Sequence, residues 1–136
     1  MTNGSNTWGV AFSHIAWFEK LLLSHKNLTG VQRHDDLVFE IDRVAQKDHL
    51  KILCCNEYTM GVTLVQRGLA EFGDINIFYI GGGWCGYTQE AKEFCLSQNI
   101  GLFVTDEMNG ALWKADYWTY HRRDKDGNPL YFYRVA

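Results

Sequence analysis

Three acidic residues alternate along one short segment and could together hold a divalent metal ion. Asp36, Glu40 and Asp42 lie in the predicted strand 36–44. They share one face of that strand, because successive side chains of a β-strand point to opposite faces. Carboxylate oxygens are the ligands that Mg²⁺ prefers. The pattern fits a Mg²⁺ site on Asp36, Glu40 and Asp42, and it also fits a strand face exposed to solvent.

A second predicted strand, residues 50–57, ends in side chains of mixed chemistry. A short polar turn at residues 46–48 joins it to the first strand, and such connections favour antiparallel pairing. Its end contains Cys54, Cys55 and Asn56. Adjacent strand residues point apart, so Cys54 and Cys55 cannot both join one tetrahedral zinc site. We expect the four cysteines of the chain to be buried, reduced thiols.

One helix is predicted before these two strands in the sequence, and another is predicted after them. Ser13 can cap a helix whose apolar residues recur at helical spacing until near Asn27. A second helix is predicted over residues 59–72, with Gly73 at the position where helices end. Residues 1–12 precede the first helix and carry no periodic pattern, so we expect a flexible N-terminus.

A βαβ unit is predicted over residues 75–113. It has apolar strands at 75–80 and 100–104, a helix capped by Thr88, and a further helix after an acidic turn. Together with the preceding elements, this order predicts an α/β fold: a single three-layer domain, residues 1–136, around a mixed central sheet.

The amino-acid sequence of the βαβ unit resembles that of a known family. It reads INIFYIGGGWCGYTQEAKEFCLSQNIGLFVTDEMNGALW. Tyr87-Thr88 precede Glu90-Ala91 at the helix start, and Cys55 and Tyr58 agree with the family's second strand. The chain resembles the Mrr-type restriction-endonuclease family, within the PD-(D/E)XK nuclease superfamily. That resemblance implies a restriction-endonuclease-like fold and a Mg²⁺ site formed by acids on two adjacent strands, with a lysine that polarises the attacking water.

Carried over residue by residue, the resemblance places the first acid at Asp36 and the second signature at Cys54 and Asn56. A thiol is a poor Mg²⁺ ligand, and neutral Asn cannot supply the charge of the lysine. We therefore expect a catalytically degenerate module that serves binding or assembly in nucleic-acid transactions, with no certain cofactor.

An active enzyme is the alternative. Glu40 or Asp42 could supply the missing ligand, and Gln66 or Arg67 on the following helix could replace the lysine. The chain would then be a Mg²⁺-dependent nuclease that uses Asp36.

The turn Gly81–Gly86 supports a third hypothesis. It satisfies the spacing GxGxxG between a strand and a helix, and Asp106 follows 20 residues after Gly86. This is the spacing of dinucleotide-binding turns, in which glycine amides and a helix N-terminus hold a pyrophosphate. The position of the turn so late in the chain argues against it, and a plain strand-to-helix turn is the simpler interpretation.

Residues 114–136 are predicted to form a C-terminal β-hairpin around the turn sequence DKDGNP. Aromatic and basic residues alternate there, which is the combination that stacks bases and holds phosphates. The candidate nucleic-acid contacts are Trp118, Tyr120, Arg122, Arg123 and Lys125. The same aromatic residues could instead pack the hairpin or form a contact with a protein partner or a second copy of the chain.

Composition limits the kinds of partner. The formal net charge is −3, which argues against a protein that binds DNA or RNA by overall charge alone, although a local basic patch remains compatible with it. The sequence has no apolar run that could span a bilayer, and its first residues lack the pattern of a signal peptide. We expect a cytoplasmic protein without a membrane partner.

Overall fold

A mixed sheet forms the centre of the fold in the computed structural model, which describes residues 3–135. The helices are Phe12–Ser24 (α1), Val62–Phe72 (α2), Gln89–Ser97 (α3) and Thr105–Ala111 (α4), with a 3₁₀ turn at Tyr117–Thr119. The strands are Leu28–His34 (β1), Val38–Arg43 (β2), Asp48–Cys54 (β3), Thr59–Met60 (β4), Ile77–Tyr79 (β5), Gly86–Tyr87 (β6), Gly101–Phe103 (β7), Arg122–Arg123 (β8) and Pro129–Leu130 (β9).

The main sheet has five strands in the order β1-β2-β3-β5-β7. β1, β2 and β3 pair antiparallel, whereas β3, β5 and β7 are parallel, because α2 and α3 connect them as crossovers. Two-stranded pairs, β4 with β6 and β8 with β9, lie outside this sheet. The prediction of an α/β fold with a mixed sheet is confirmed.

Helices cover both faces of the sheet. Tyr79 and Phe39 point to one face, as the strand registers show. Phe18 of α1 stacks on Tyr79 with ring centroids 4.0 Å apart and meets Phe39 edge-on at 5.3 Å. Phe78 points to the other face, where a Cβ atom on Gly68 of α2 would come within 2.6 Å of its ring. Gly68 therefore lets α2 approach the sheet closely, and the layers are helix, sheet and helix.

β1 is a strand that the sequence pattern did not predict. Leu28 continues the apolar spacing of α1, but α1 begins at Phe12, ends at Ser24, and the chain leaves the helix at His25. Leu28 reaches the core from β1 instead. Gly30, with φ of +60°, lies at the irregularity in the β1–β2 pairing. The helical spacing of Leu28 is therefore a coincidence, because Leu28 belongs to β1 and not to α1.

Asp36 lies outside β2, so its predicted place on the strand is wrong. The turn between β1 and β2 contains Asp35 and Asp36, whose φ angles are +51° and +64°. Asp tolerates this left-handed conformation better than most residues, and hairpin turns often require it. β2 begins only at Val38.

The predicted C-terminal end of α2 and the predicted N-cap of α3 are confirmed, whereas α2 begins at Val62 and not at residue 59, because Thr59–Met60 form β4. The Thr88 hydroxyl accepts a hydrogen bond from the N–H of Ala91 at 3.1 Å and so caps α3. Gly73, with φ of +83°, follows α2. None of the described helices is long and apolar enough to cross a membrane.

The C-terminal hairpin is much shorter than predicted. β8 and β9 contribute only two pairs, on either side of a turn with Gly127 at φ +82°. Residues 117–119 form a 3₁₀ turn instead of a strand, because the side chain of Tyr117 is buried in the core. Tyr133 lies beside Tyr87 of β6, not beside β8, since Tyr87 N donates to Phe132 O and Arg134 N donates to Tyr87 O.

Residues 3–11, here called the N-terminal segment, pack against the domain. Trp8 and Val10 are only 7% and 1% exposed. Asn6 orders the segment locally, because its side chain accepts from the N–H groups of Trp8 and Val10 and donates to Val10 O. These contacts differ from the flexible N-terminus expected over residues 1–12, of which Met1 and Thr2 lie outside the described residues.

Candidate functional site

The Asp36 carboxylate is surrounded by N–H donors from its own chain. Its two oxygens accept from the backbone N–H of Gly4 at 3.2 and 3.0 Å, and Oδ2 also accepts from Nδ2 of Asn6 at 2.8 Å. Arg33 Nη1 donates to Oδ1 at 2.9 Å, in an ion pair whose side chains are 10% and 2% exposed. These donors take the lone pairs that a metal ion would need, so Asp36 attaches the N-terminal segment to the β1–β2 turn.

Arg67, the residue that could replace the missing lysine, is also engaged by the N-terminal segment. Its guanidinium lies over the Trp8 ring, 4.1 Å from the centroid, and Nη2 donates to Thr7 O at 3.1 Å. Trp8 Nε1 donates to Glu71 Oε2 at 3.1 Å, which fixes the indole on α2. Gln66, the other candidate, is exposed on the same helix. Arg67 thus holds the N-terminal segment against α2.

Cys54 and Asn56 lie where β3 ends, in different surroundings. Cys54 is fully buried, and burial together with the nearby charge of Asp36 raises the pKa of its thiol. Such a thiol stays protonated at neutral pH, and only the thiolate is a good metal ligand. Asn56 is exposed, and its Oδ1 accepts a hydrogen bond from Cys85 Sγ at 3.5 Å. The structure therefore brings Cys54 close to Asp36, but not in a form that binds Mg²⁺.

Glu40 and Asp42 share one face of β2, as predicted, but not with Asp36, which lies in the turn. Their face is also opposite to that of Cys54: Glu40 pairs with Lys51, and Cys54 follows Lys51 by an odd number of residues. The hypothesis that Glu40 or Asp42 completes a metal site with Asp36 therefore does not agree with their placement.

Two histidines bind these carboxylates instead. His34 Nε2 lies 2.5 Å from Glu40 Oε2, and His49 bridges the pair, with Nε2 2.7 Å from Glu40 Oε1 and Nδ1 2.8 Å from Asp42 Oδ1. Hydrogen bonds from His49 and His34 lower the pKa of Glu40, and those from His49 to Glu40 and Asp42 raise the pKa of His49. We call these four residues the Glu40 cluster.

The described side chains do not fit the Mg²⁺ ion that the resemblance implies. Mg²⁺ needs oxygen ligands that converge in near-octahedral geometry. Within residues 3–135, no group of three or more His, Cys, Asp or Glu side chains is arranged to hold a metal ion. Asp36 faces N–H donors, and Glu40 and Asp42 face imidazoles. No step of metal-assisted hydrolysis can be assigned to this arrangement.

The glycine-rich turn does not open α3 directly. β6 separates it from the helix, which begins at Gln89. At Gly86, a Cβ atom would meet Phe132 O at 2.6 Å. Because glycine has no side chain, residues 131–135, here called the C-terminal segment, can pack closely against β6. Asp106 lies in the first turn of α4. A dinucleotide-binding turn passes straight into its helix, and this geometry is not formed here.

A buried polar network near β7 was missed by the sequence analysis. Lys92 is 1% exposed, and its Nζ donates to Leu102 O at 2.8 Å while lying over the Tyr87 ring at 5.0 Å and the Phe103 ring at 4.4 Å. Burial lowers the pKa of Lys92 to about 8. Its helical position gave a usable signal, because Lys92 falls on the inward stripe with Thr88, Ala91 and Cys95.

Glu107 is the acidic member of this network and is fully buried. Its Oε2 accepts from the Tyr87 hydroxyl at 2.8 Å, and its Oε1 accepts from the N–H of Val104 at 3.0 Å. Burial raises the pKa of Glu107, and the charge of Lys92 opposes this. The Tyr87 oxygen also accepts from Phe132 N at 3.2 Å. The network therefore joins α3, α4 and the C-terminal segment.

The predicted nucleic-acid contacts divide into two groups. Tyr120 packs edge-on against Phe103 at 6.3 Å, and Trp118 packs against Tyr117, so both rings contribute to packing. The basic residues remain exposed. Arg122 donates to Asp106 O, Arg123 donates to Gly127 O, and Lys125 lies in the turn.

All four cysteines are buried and free of disulfide bonds, in agreement with the expected thiols. In comparisons with known proteins, no family model, no curated protein and no solved structure matches this chain.

Proposed function

We propose that this chain is a restriction-endonuclease-like domain of Mrr type that has lost nuclease chemistry and binds nucleic acid. The observation that carries the proposal is the state of Asp36. Its carboxylate is occupied by Gly4, Asn6 and Arg33, and its neighbour on β3 is the buried thiol of Cys54. An acid that serves to hold its own N-terminal segment has no lone pairs left for a catalytic metal ion.

The sheet supports the assignment to this superfamily. The resemblance implies an acid near the start of one strand and a second signature near the end of the neighbouring strand. Asp36 precedes β2 and Cys54 ends β3, and Val38 and Leu53 are paired across these two strands. The signature positions therefore meet at one end of the β2–β3 pair, while their chemistry has changed.

Cleavage and binding assays together test the proposal. Labelled single-stranded and duplex DNA and RNA are incubated with the pure protein in Mg²⁺ or Mn²⁺, beside the Asp36→Asn variant. We expect intact substrates with both proteins, and binding of at least one nucleic acid in the presence of EDTA.

Cleavage that disappears in the Asp36→Asn variant, while circular dichroism shows that this variant is folded, would overturn the proposal and establish an active nuclease. Equal cleavage by both proteins would indicate a contaminating enzyme, which a second purification step removes. Failure to bind any of the four nucleic acids at low salt would also overturn it, because phosphate contacts are strongest under that condition.

A further inference from the structure

A cleft of about 340 Å³ opens between the end of α4 and the C-terminal hairpin. We call it the Trp113 cleft. Its side chains combine aromatic rings with basic groups, and they are Trp113, Lys114, Thr119, Tyr120, His121 and Arg123. No carboxylate lines it. Such a lining favours a ligand that carries both a flat ring and a negative charge.

Four other clefts of the described chain differ in this respect. Each includes at least one carboxylate, namely Glu90 in two of them, Asp36 in the third and Asp74 in the fourth. The charge of the chain is divided in the same way. Residues 113–135 hold five of the 13 Lys and Arg but only three of the 16 Asp and Glu, a net +2 against −5 for the remainder. An anion is therefore attracted to the Trp113 cleft in particular.

The backbone of the cleft is held rigidly by buried polar side chains. Arg43 is 2% exposed, and it donates to Lys114 O at 2.6 Å and to Ala115 O at 3.3 Å. Its Nε and Nη2 form a bidentate pair with Asp48 at 2.9 and 2.7 Å, and Nη1 also donates to Leu112 O at 3.4 Å. Gln46 donates to Trp113 O at 2.7 Å. Residues 113–115 are thus fixed to β2 and to the β2–β3 turn before any ligand arrives, which reduces the entropy cost of binding.

The side chains of the cleft keep binding capacity. Trp113 is 50% exposed, and its ring centroid lies 5.4 Å from that of His25. Lys114 Nζ makes a long contact, 3.7 Å, to Oδ1 of the exposed Asp116. Arg123 donates to Gly127 O through Nη1 and retains other N–H groups.

His121 adds one more group. Its Nδ1 lies 3.1 Å from the carbonyl oxygen of Thr119. A carbonyl can only accept, so Nδ1 carries the hydrogen and Nε2 is left as the second hydrogen-bonding atom. The cleft therefore offers N–H donors and an imidazole nitrogen beside its aromatic surface.

We propose that the Trp113 cleft binds one nucleotide unit of a single-stranded nucleic acid, with the base stacked on Trp113 and the phosphate held by Lys114 and Arg123. This inference rests on the proposed function and specifies its surface. The volume suits one nucleotide, since small-ligand sites begin at about 300 Å³. A free mononucleotide carries the same base and phosphate, and the experiment separates the two sources.

Fluorescence anisotropy tests the cleft with a labelled 12-residue single strand, its duplex, and unlabelled AMP as competitor, in EDTA. Trp113→Ala is expected to weaken strand binding about tenfold, the effect of one lost stacked base. The Lys114→Ala, Arg123→Ala double variant is expected to lower the slope of log Kd against log salt by about 0.7, since each phosphate neutralised on a single strand contributes about that amount.

Matched controls come from α1 and from the residues that follow it. Trp17 is 49% exposed, close to the 50% of Trp113, and Lys26 is exposed like Lys114. Trp17→Ala and Lys26→Ala should leave Kd and the salt slope unchanged. Circular dichroism and the urea midpoint confirm that each variant is folded.

The outcomes are distinct. Weaker binding in the cleft variants alone supports the proposal, and competition by micromolar AMP then identifies a free nucleotide as the ligand, whereas its absence identifies a strand. Equal effects of cleft and control variants, or no effect of either, overturn the Trp113 cleft while leaving the proposed function in place. Asp36-dependent cutting of the same strand in Mg²⁺ would instead overturn the proposed function.

Discussion

The turn that holds Asp36 and the Trp113 cleft use charge in opposite ways. Asp36 is 2% exposed, and its oxygens are bound by Gly4, Asn6 and Arg33. Lys114 and Arg123 are exposed, and the backbone at Lys114 is fixed by the buried Arg43. A charge bound by its own chain stabilises the fold, whereas a charge that is held in place but exposed is free to bind a ligand. The acidic motif in the sequence indicated the first region, and our proposal assigns ligand binding to the second.

Removing the charge of Asp36 gives the largest effect we expect. Asp36→Asn should lower the free energy of unfolding by about 3 kcal/mol, because it leaves Arg33 buried beside a neutral group. Urea unfolding measures the loss. Asn tolerates the positive φ of this turn, so backbone strain does not contribute.

Asp35→Asn is the matched control for this change. Asp35 has a similar φ of +51°, but its side chain is 71% exposed, and the substitution should alter stability by less than about 0.5 kcal/mol. If Asp36→Asn were neutral or stabilising, as substitutions of strained catalytic acids can be, Asp36 would belong with the ligand-binding charges instead.

Replacing Tyr87 tests whether a second buried polar group stabilises the fold. Tyr87→Phe removes one oxygen that donates to Glu107 and accepts from Phe132 N. We expect a loss of about 2 kcal/mol, because a buried acceptor and a backbone N–H lose their partner. Hydrogen exchange should accelerate in residues 131–135, which depend on Tyr87, and not in β2. If Tyr87→Phe changed the hydrogen-exchange rates of residues 131–135 and of β2 to the same extent, the hydroxyl would not hold the C-terminal segment.

Local signals were sufficient to predict the presence of the helices and of the βαβ unit, and insufficient for the candidate site. Thr88 and Gly73 act on neighbouring residues, so their roles can be inferred from the sequence. Arg33 is three positions from Asp36, but the other two partners, Asn6 and Gly4, are 30 and 32 positions away. No periodicity encodes such contacts, and the alternation of acids therefore suggested a shared face that the turn does not provide.

The cleft was only partly predictable for a related reason. The basic and aromatic composition of residues 114–136 indicated an anion-binding surface, but the predicted long strands would have spread these side chains over a hairpin. The burial of Tyr117 replaces one strand by a 3₁₀ turn. The carbonyl of Lys114 is bound by Arg43, 71 positions earlier in the sequence, and that of Trp113 is bound by Gln46, 67 positions earlier.

The Glu40 cluster lies between the two extremes, because its charges are paired but exposed. The pKa of His49 is raised, so its contribution to stability is complete below the unfolded value of about 6.5 and is lost as pH rises through the folded value. The pKa of Glu40 is lowered, so its contribution is lost as pH falls below about 4.5. The difference in unfolding free energy between wild type and His49→Asn should therefore be largest from about pH 4.5 to 6.5.

Solvent screening keeps this difference below about 1 kcal/mol. Urea unfolding at pH 5.5 and pH 8 measures it, and NMR titration of His49 gives its pKa directly. A difference that grows toward pH 8 would contradict the assigned pairing. Added salt should reduce the difference, since the His49 side chain is 52% exposed.

The smallest effect on stability is expected for the cations of the Trp113 cleft, and this result directly tests the contrast with Asp36. Lys114→Ala with Arg123→Ala removes one long ion pair and one hydrogen bond on the surface, so the unfolding free energy should change by less than about 0.5 kcal/mol. The same double variant is expected to bind single strands less tightly. A stability loss as large as that of Asp36→Asn would mean that the fold uses these charges as it uses Asp36. In that case the cleft would have no cations free for a phosphate.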